Sequence, residues 1–230
     1  MMQHTKKTRH FFLASTALFL LFLLYTVALQ RLDVQPIGPR GSLVGFASLN
    51  GAVHRLLGVH MALYAITDWA SLAVALVALG FAVLGLAQWI RRKSLWRVDH
   101  SLLVLGGFYL LLATYLFFEN HVVNYRPVLI ENVLEASYPS STTMLVLCIM
   151  PTAMLQFRQR ICHRGTRLAG NTLAGIFIFA MVAGRLLSGV HWLSDIVGGV
   201  LLSAALVTGY HAMERWVAGW ASRTPGKIVK

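Results

Sequence analysis

The sequence predicts an all-α polytopic membrane protein. It should have six transmembrane helices in a bundle and an interfacial helix in the first outer loop. Three observations predict this. Of 230 residues, 57% are hydrophobic and 12% charged, with a mean hydropathy of +0.66; an average soluble domain is about 25% charged and about 45–50% apolar. The apolar residues gather in uncharged runs near the roughly 20 residues that a spanning helix needs. Lys and Arg fall preferentially in alternate loops between those runs. Disorder, a basic-tailed nucleic-acid reader and an ordinary soluble enzyme are excluded by this composition.

The first run is Phe11 to Leu29, nineteen residues without a charge, preceded by Lys6, Lys7 and Arg9. A cleaved signal peptide would have an apolar region of about 7–15 residues ending in a small-x-small site. This run is longer, and Val27-Ala28-Leu29-Gln30 is a poor cleavage site, so it reads as a retained first span. Residues 31–68 are mixed, with Pro36, Pro39 and several charges. From Leu43 to Ile66, apolar residues at helical spacing are broken by Asn50, His54 and Arg55. That pattern reads as loop plus a helix on the membrane surface. The remaining spans are expected at about 69–90, 101–118, 142–157, 168–184 and 196–213. Pro151 predicts a kink in the fourth of the six. No repeat or second domain is visible, so residues 1–230 read as one membrane-embedded domain.

The net charge is +12, from 20 Lys and Arg against 8 Asp and Glu. Because the basic residues flank apolar runs, membrane lipids and topology account for them, and no nucleic-acid partner is expected. The N-terminal segment carries three, and residues 91–97, 158–167 and 215–230 carry four each, fifteen in all. The other five are Arg31, Arg40, Arg55, Arg126 and Arg185. This bias predicts cytoplasmic termini in a plasma-membrane protein, with segments 119–141 and 185–195 on the outer side. The tryptophans lie near the expected interfaces, as an aromatic belt would. Cys148 and Cys162 read as free thiols. No histidine spacing suggests a metal site, and no cofactor is expected.

The two outer segments concentrate the chemistry. One runs from Glu119 through Arg126-Pro127 to Ser137-Tyr-Pro139-Ser140-Ser141-Thr142-Thr143, and the other from Gly184-Arg185 to His191-Trp-Leu-Ser-Asp195. Ionisable residues at span ends are functional candidates. If helical, His191 and Asp195 share a face, and the carboxylate would fix the imidazole tautomer and raise the basicity of its other nitrogen. Such an imidazole can attack phosphorus. Arg126 and Arg185 would suit the charged oxygens of a phosphoryl group. Ser140, Ser141 and the N–H groups opening the next span could add donors. Each segment alone has a plainer reading: a structural His–Asp hydrogen bond, an interfacial Arg-Pro anchor, a helix cap.

Jointly, the pattern resembles the type-2 phosphatidic acid phosphatase superfamily of membrane lipid-phosphate phosphatases. Its motifs are Lys-x6-Arg-Pro, Pro-Ser-Gly-His and Ser-Arg-x5-His-x3-Asp. Arg185, His191 and Asp195 match the third at the family's spacing, with Gly184 in place of Ser. Arg126-Pro127 matches part of the first and Pro139-Ser140 part of the second. The resemblance covers roughly residues 60–213. It implies a six-helix bundle that hydrolyses a lipid phosphate or diphosphate without a metal. It also implies that His191 is the nucleophile that forms a phosphohistidine and that Asp195 orients it. Arg126, Arg185 and Ser140 would then bind the phosphate.

The departures carry information. The family's Lys falls on Glu119, its Gly on Ser141, and its leaving-group-protonating His on Thr142. A threonine has no useful pKa near neutrality for that task. General acid catalysis contributes about 10²–10⁴-fold, roughly 3–5 kcal/mol, and most for poor leaving groups. Phosphatidate must expel an alkoxide-like oxygen, whereas a polyprenyl diphosphate expels a polyprenyl phosphate. Thr142 therefore predicts a bias towards lipid diphosphates, with undecaprenyl diphosphate as the natural candidate. His121, Glu131 and Glu135 are possible substitute acids, and Glu131 and Glu135 share a face if that stretch is helical. Two other readings are a homologue that binds a lipid phosphate without hydrolysis and a phosphotransferase.

Overall fold

The computed structural model describes residues 2–94, 98–117 and 122–221, so Glu119 and His121 lie outside the described residues. It is all-helical, with α1 Met2–Arg31, α2 Ala47–Leu57, α3 Met61–Arg92, α4 His100–Phe117, α5 Ser141–Arg160, α6 Arg164–Leu187 and α7 Leu193–Ala221. Among the described residues, strand pairing is confined to isolated bridges in the two connections 31–47 and 122–140.

Helix ends follow local chemistry. Ser140 caps α5 by accepting from the Thr143 N–H, and the His163 ring nitrogen caps α6 by accepting from the Thr166 N–H. Such acceptors satisfy amide groups that the first turn leaves orphaned. Lys93 ends α3 in a left-handed conformation. α5 continues through Pro151 without interruption.

Four helices are long and apolar enough to cross a membrane: Lys6–Arg31, Met61–Arg92, Arg164–Leu187 and Leu193–Ala221. α4 is a shorter apolar helix. α5 is polar for a span because it is interior: Thr143, Thr152 and Gln156 are all buried on it. Interior polar groups lower hydropathy yet are stable once hydrogen-bonded, and the Thr152 hydroxyl donates to the Cys148 carbonyl at 2.8 Å. Large apolar side chains such as Leu24, Trp69, Leu76, Leu110 and Phe179 stand exposed along the outer helix faces. That is the expected surface of a protein solvated by lipid.

α7 is the axis of the bundle. α1 lies antiparallel along it. Phe11 meets the His211 ring edge-on, the Ser15 hydroxyl donates to the Ala205 carbonyl, and the Tyr25 hydroxyl donates to the Ser194 carbonyl. α5 runs parallel to α7, with the Ser140 N–H on the Asp195 carbonyl at 3.1 Å and Gln156 Nε2 donating to the Tyr210 hydroxyl at 2.7 Å. α4 returns antiparallel to α5, through Tyr109–Thr152 and Ser101–Gln156 contacts. These pairings define two ends. One gathers Arg92, Asp99, Arg160 and Glu214. The other gathers α2, the 122–140 connection and the turn between α6 and α7.

Several expectations need correction. α3 begins at Met61, eight residues before the expected start, and α7 runs on to Ala221. Segment 124–137 is not helical. It folds back on itself through the Tyr125–Ala136 and Ile130–Val133 bridges, and Glu131 and Asn132 both have positive φ at the turn. Glu131 and Glu135 therefore share no helix face. Trp192 does not join an aromatic belt: it is buried, and its Nε1 donates to the Tyr125 carbonyl at 2.7 Å. Both cysteines are free, Cys148 buried and Cys162 exposed.

Candidate active site

His191 precedes α7 rather than riding on it. Gly189, at φ +68°, turns the chain out of α6; a Cβ there would lie 2.0 Å from the Gly58 carbonyl oxygen, so only glycine fits. The Ser188 carbonyl accepts from the His60 N–H, pinning this turn to the connection before α3. Asp195 is the third residue of α7, and its Oδ2 accepts from the Trp192 backbone N–H at 2.9 Å. That is the return half of a capping box. It brings the carboxylate back over the helix start, with Oδ2 3.5 Å from His191 Nδ1. The predicted pair thus forms because the carboxylate folds back, not because the two residues share a helical face.

The tautomer follows from the neighbours. Arg126 Nη1 lies 3.3 Å from His191 Nε2. A guanidinium only donates, so Nε2 presents its lone pair and Nδ1 carries the proton that faces Asp195. Asp195 is 0% and His191 3% exposed. Burial lowers the His191 pKa below the usual histidine value; the Arg126 and Arg185 charges add to this and Asp195 opposes it. The imidazole is neutral at physiological pH, as a nitrogen nucleophile must be.

Arg185 and Arg126 flank this centre from two different segments. Arg185 is 2% exposed, and its Nη1 donates to the Thr67 hydroxyl at 3.2 Å and its Nη2 to Asp68 Oδ1 at 3.3 Å. Arg126 Nε lies 2.9 Å from Glu135 Oε2. The Tyr64 ring contacts both guanidiniums, 4.8 Å from Arg185 Cζ and 5.9 Å from Arg126 Cζ. A π face attracts both cations, so Tyr64 offsets the mutual repulsion of two charges that the site holds close together.

Gly184, where the family carries Ser, permits a close approach of α6 to α3: a Cβ there would sit 2.8 Å from Thr67 Cγ2. Thr67 is the residue that receives Arg185, so the bare Gly184 leaves room for that contact. Ser140 is fully buried, and its Oγ accepts from both the N–H and the hydroxyl of Thr143. It is joined to the centre through its backbone link to Asp195, not by a side-chain bond to His191 or either arginine. Ser141 is the exposed first residue of α5, and Thr142, next along, is buried. Among the described residues, no group of three or more His, Cys, Asp or Glu side chains is arranged to hold a metal.

Sequence reasoning missed a polar network beneath the site. Asn50 of α2 is buried. Its Nδ2 donates to the Gly45 carbonyl at 2.8 Å and to Ser194 Oγ at 2.9 Å, while its Oδ1 accepts from the Ser194 N–H at 3.1 Å. Buried Asn124 donates to Ser194 Oγ and accepts from the Gly45 N–H. Two carboxamides therefore fasten the start of α7, and hence Asp195, to the connections 31–47 and 122–140. The available signal was the polar interruption at Asn50 in an otherwise apolar amphipathic stretch. Tyr64, Thr67 and Asp68 were also missed. Their spacing of three and four residues places them on one helix face.

A sequence model of the PAP2 superfamily matches residues 69–218. The fold is similar to that in "Crystal structure of the first transmembrane PAP2 type phosphatidylglycerolphosphate phosphatase from Bacillus subtilis", with a TM-score of 0.55 and 19% identity, covering 91% of this chain and 96% of that one. No curated protein sequence matches the chain.

Proposed function

The chain belongs to the PAP2 superfamily, and on that footing we propose that it is a six-span membrane phosphohydrolase of lipid phosphates and diphosphates. In this reading it favours a polyprenyl diphosphate and works at the outer face through a phosphohistidine. The observation that carries the reading is the buried His191, with Nε2 turned to Arg126 and Nδ1 turned to Asp195.

The steps follow from these residues. The terminal phosphoryl group binds between the Arg126 and Arg185 guanidiniums. Arg126 transfers its Nη1 donor from His191 Nε2 to a phosphoryl oxygen, freeing the lone pair. Nε2 attacks phosphorus, the bridging P–O bond breaks, and the lipid leaves carrying its remaining oxygen or phosphate. The positive charge on the ring is met by Asp195 as the 3.5 Å separation closes to a charge-assisted hydrogen bond. Water then attacks phosphorus, the P–N bond breaks, and inorganic phosphate departs. With Thr142 in place of a protonating histidine, the leaving group must depart largely unaided, and this favours a diphosphate. Of the substitute acids that the sequence offers, Glu135 is the one in contact with Arg126, at 2.9 Å.

The outer-face assignment is supported by the end-to-end asymmetry of charge. Arg91, Arg92, Arg158, Arg160, Arg164 and Arg167 cluster at the end opposite His191, which the positive-inside rule places in the cytoplasm.

Phosphate release by the purified protein tests the proposal, using undecaprenyl diphosphate, phosphatidate and phosphatidylglycerolphosphate with EDTA present. Release should occur, fastest from the diphosphate, and vanish in His191→Ala. Equal or faster release from the two monoesters would refute the leaving-group argument. Retained release in the variant would refute the nucleophile.

A further inference from the structure

Two cavities meet at the end of the bundle far from His191. One is an apolar groove of about 570 Å³ between α3 and α4, with Leu86, Trp89, Leu103 and Leu110 among its walls. The other is a polar cavity of about 480 Å³ containing Arg92, Asp99, His100, Ser101, Gln159 and Arg160. Val98 lines both, so they adjoin. The groove is open: a Cβ on Gly85 or Gly106 would meet no atom within 4 Å. In the polar cavity, Arg92 and Arg160 each stand 3.5 Å from the same carboxylate, that of Asp99. Asp99 also accepts from Gln88 Nε2. Among the residues lining this cavity, two arginines face one carboxylate, and His100 Nε2 is buried there without a hydrogen-bond partner.

An anionic head beside an apolar channel is the complement of these two spaces. We propose that they bind one anionic phospholipid of the adjacent leaflet, its phosphate against Arg92 and Arg160 and an acyl chain along the α3–α4 groove. The inference rests on the membrane-spanning reading and is independent of catalysis at His191. It assigns to this chain a lipid site at the basic end, separate from the site that would take a substrate.

Trp89 reports on the groove directly. In mixed micelles, an anionic phospholipid with brominated acyl chains should quench Trp89 at about a fivefold lower mole fraction than a zwitterionic lipid with the same chains. The Trp89→Phe variant isolates that component of the emission. Arg92→Gln should remove the preference for the anionic lipid. Gly106→Leu, which fills open space, should remove the quenching by either lipid. Equal quenching by the two lipids in the unaltered protein would overturn the proposal, as would a preference that survives Arg92→Gln. Phosphate release, measured alongside, separates this outcome from failure of the hydrolase reading.

Discussion

The two ends of the bundle use arginine in opposite ways. At the basic end, Arg160 donates to Gln156 and to Ser101 and faces Asp99, while Gln156 also donates to Tyr210 and Glu214. The charges there are spread through a side-chain network that ties α4, α5 and α7 together. At the site end, Arg185 rests on a threonine hydroxyl, an aromatic face and one half-exposed carboxylate, and Arg126 pairs with Glu135 and touches the His191 imidazole. Arg185 Nε, His191 Nδ1 and Asp195 Oδ1 are buried there without a formed hydrogen bond. Unmet buried polar groups are costly. Those groups beside His191 leave the site end ready to receive a charged group, whereas the basic end shares its arginines through a network that joins three helices.

That contrast can be broken in a graded series. The largest effect should follow His191→Ala, with turnover falling on the order of 10⁴–10⁶-fold while lipid binding survives. Asp195→Asn should cost about 10²–10⁴-fold, because the amide cannot stabilise the imidazolium and can invert the tautomer. Arg185→Lys should lose about 10²–10³-fold by removing the planar fork; a smaller loss than for a lysine at Arg160 would reverse the comparison. Tyr64→Leu should lose about 2–30-fold, the worth of one or two cation–π contacts, and Tyr64→Phe should restore most of it. A positioning role through the ring predicts that rescue, and a role for the hydroxyl does not. Asn50→Ala should act mainly on stability, by about 1–3 kcal/mol, read as a lower melting temperature.

The pH dependence sharpens the same contrast. His191 has its pKa lowered by burial, and its neutral form is the reactive one. kcat/KM should therefore hold steady as pH falls to about 6.5, the ordinary histidine value, and decline only below it. The lowered pKa also makes folding less favourable as His191 begins to be protonated in the unfolded chain, so stability should fall with acid through the same window.

Much of this was legible in the sequence. Hydropathy located every long apolar helix, and residue spacing picked out the His191–Asp195 pair that the fold brings into contact. Other features were hidden for physical reasons. The first two turns of α3 carry Tyr64, Thr67 and Asp68 among apolar residues, so a hydropathy reading starts the helix late and misses the cradle of Arg185. The spacing of Glu131 and Glu135 suggests a shared helix face only if that stretch is helical, and nothing in it marks the turn. Only positive φ at Glu131 and Asn132 makes the turn that sets Glu135 against Arg126. The His191–Asp195 contact depends on a capping return that residue spacing alone represents as a helical neighbour.

The central claim is that His191 is the phosphoryl acceptor. Rapid quenching of the protein in base after mixing with a lipid diphosphate labelled in its terminal phosphate tests it most directly. The account predicts a base-stable, acid-labile phosphoprotein whose label maps to His191, is discharged by water as phosphate, and is absent in His191→Ala. Multiple turnovers without any such label, or a label that persists in His191→Ala, would contradict it.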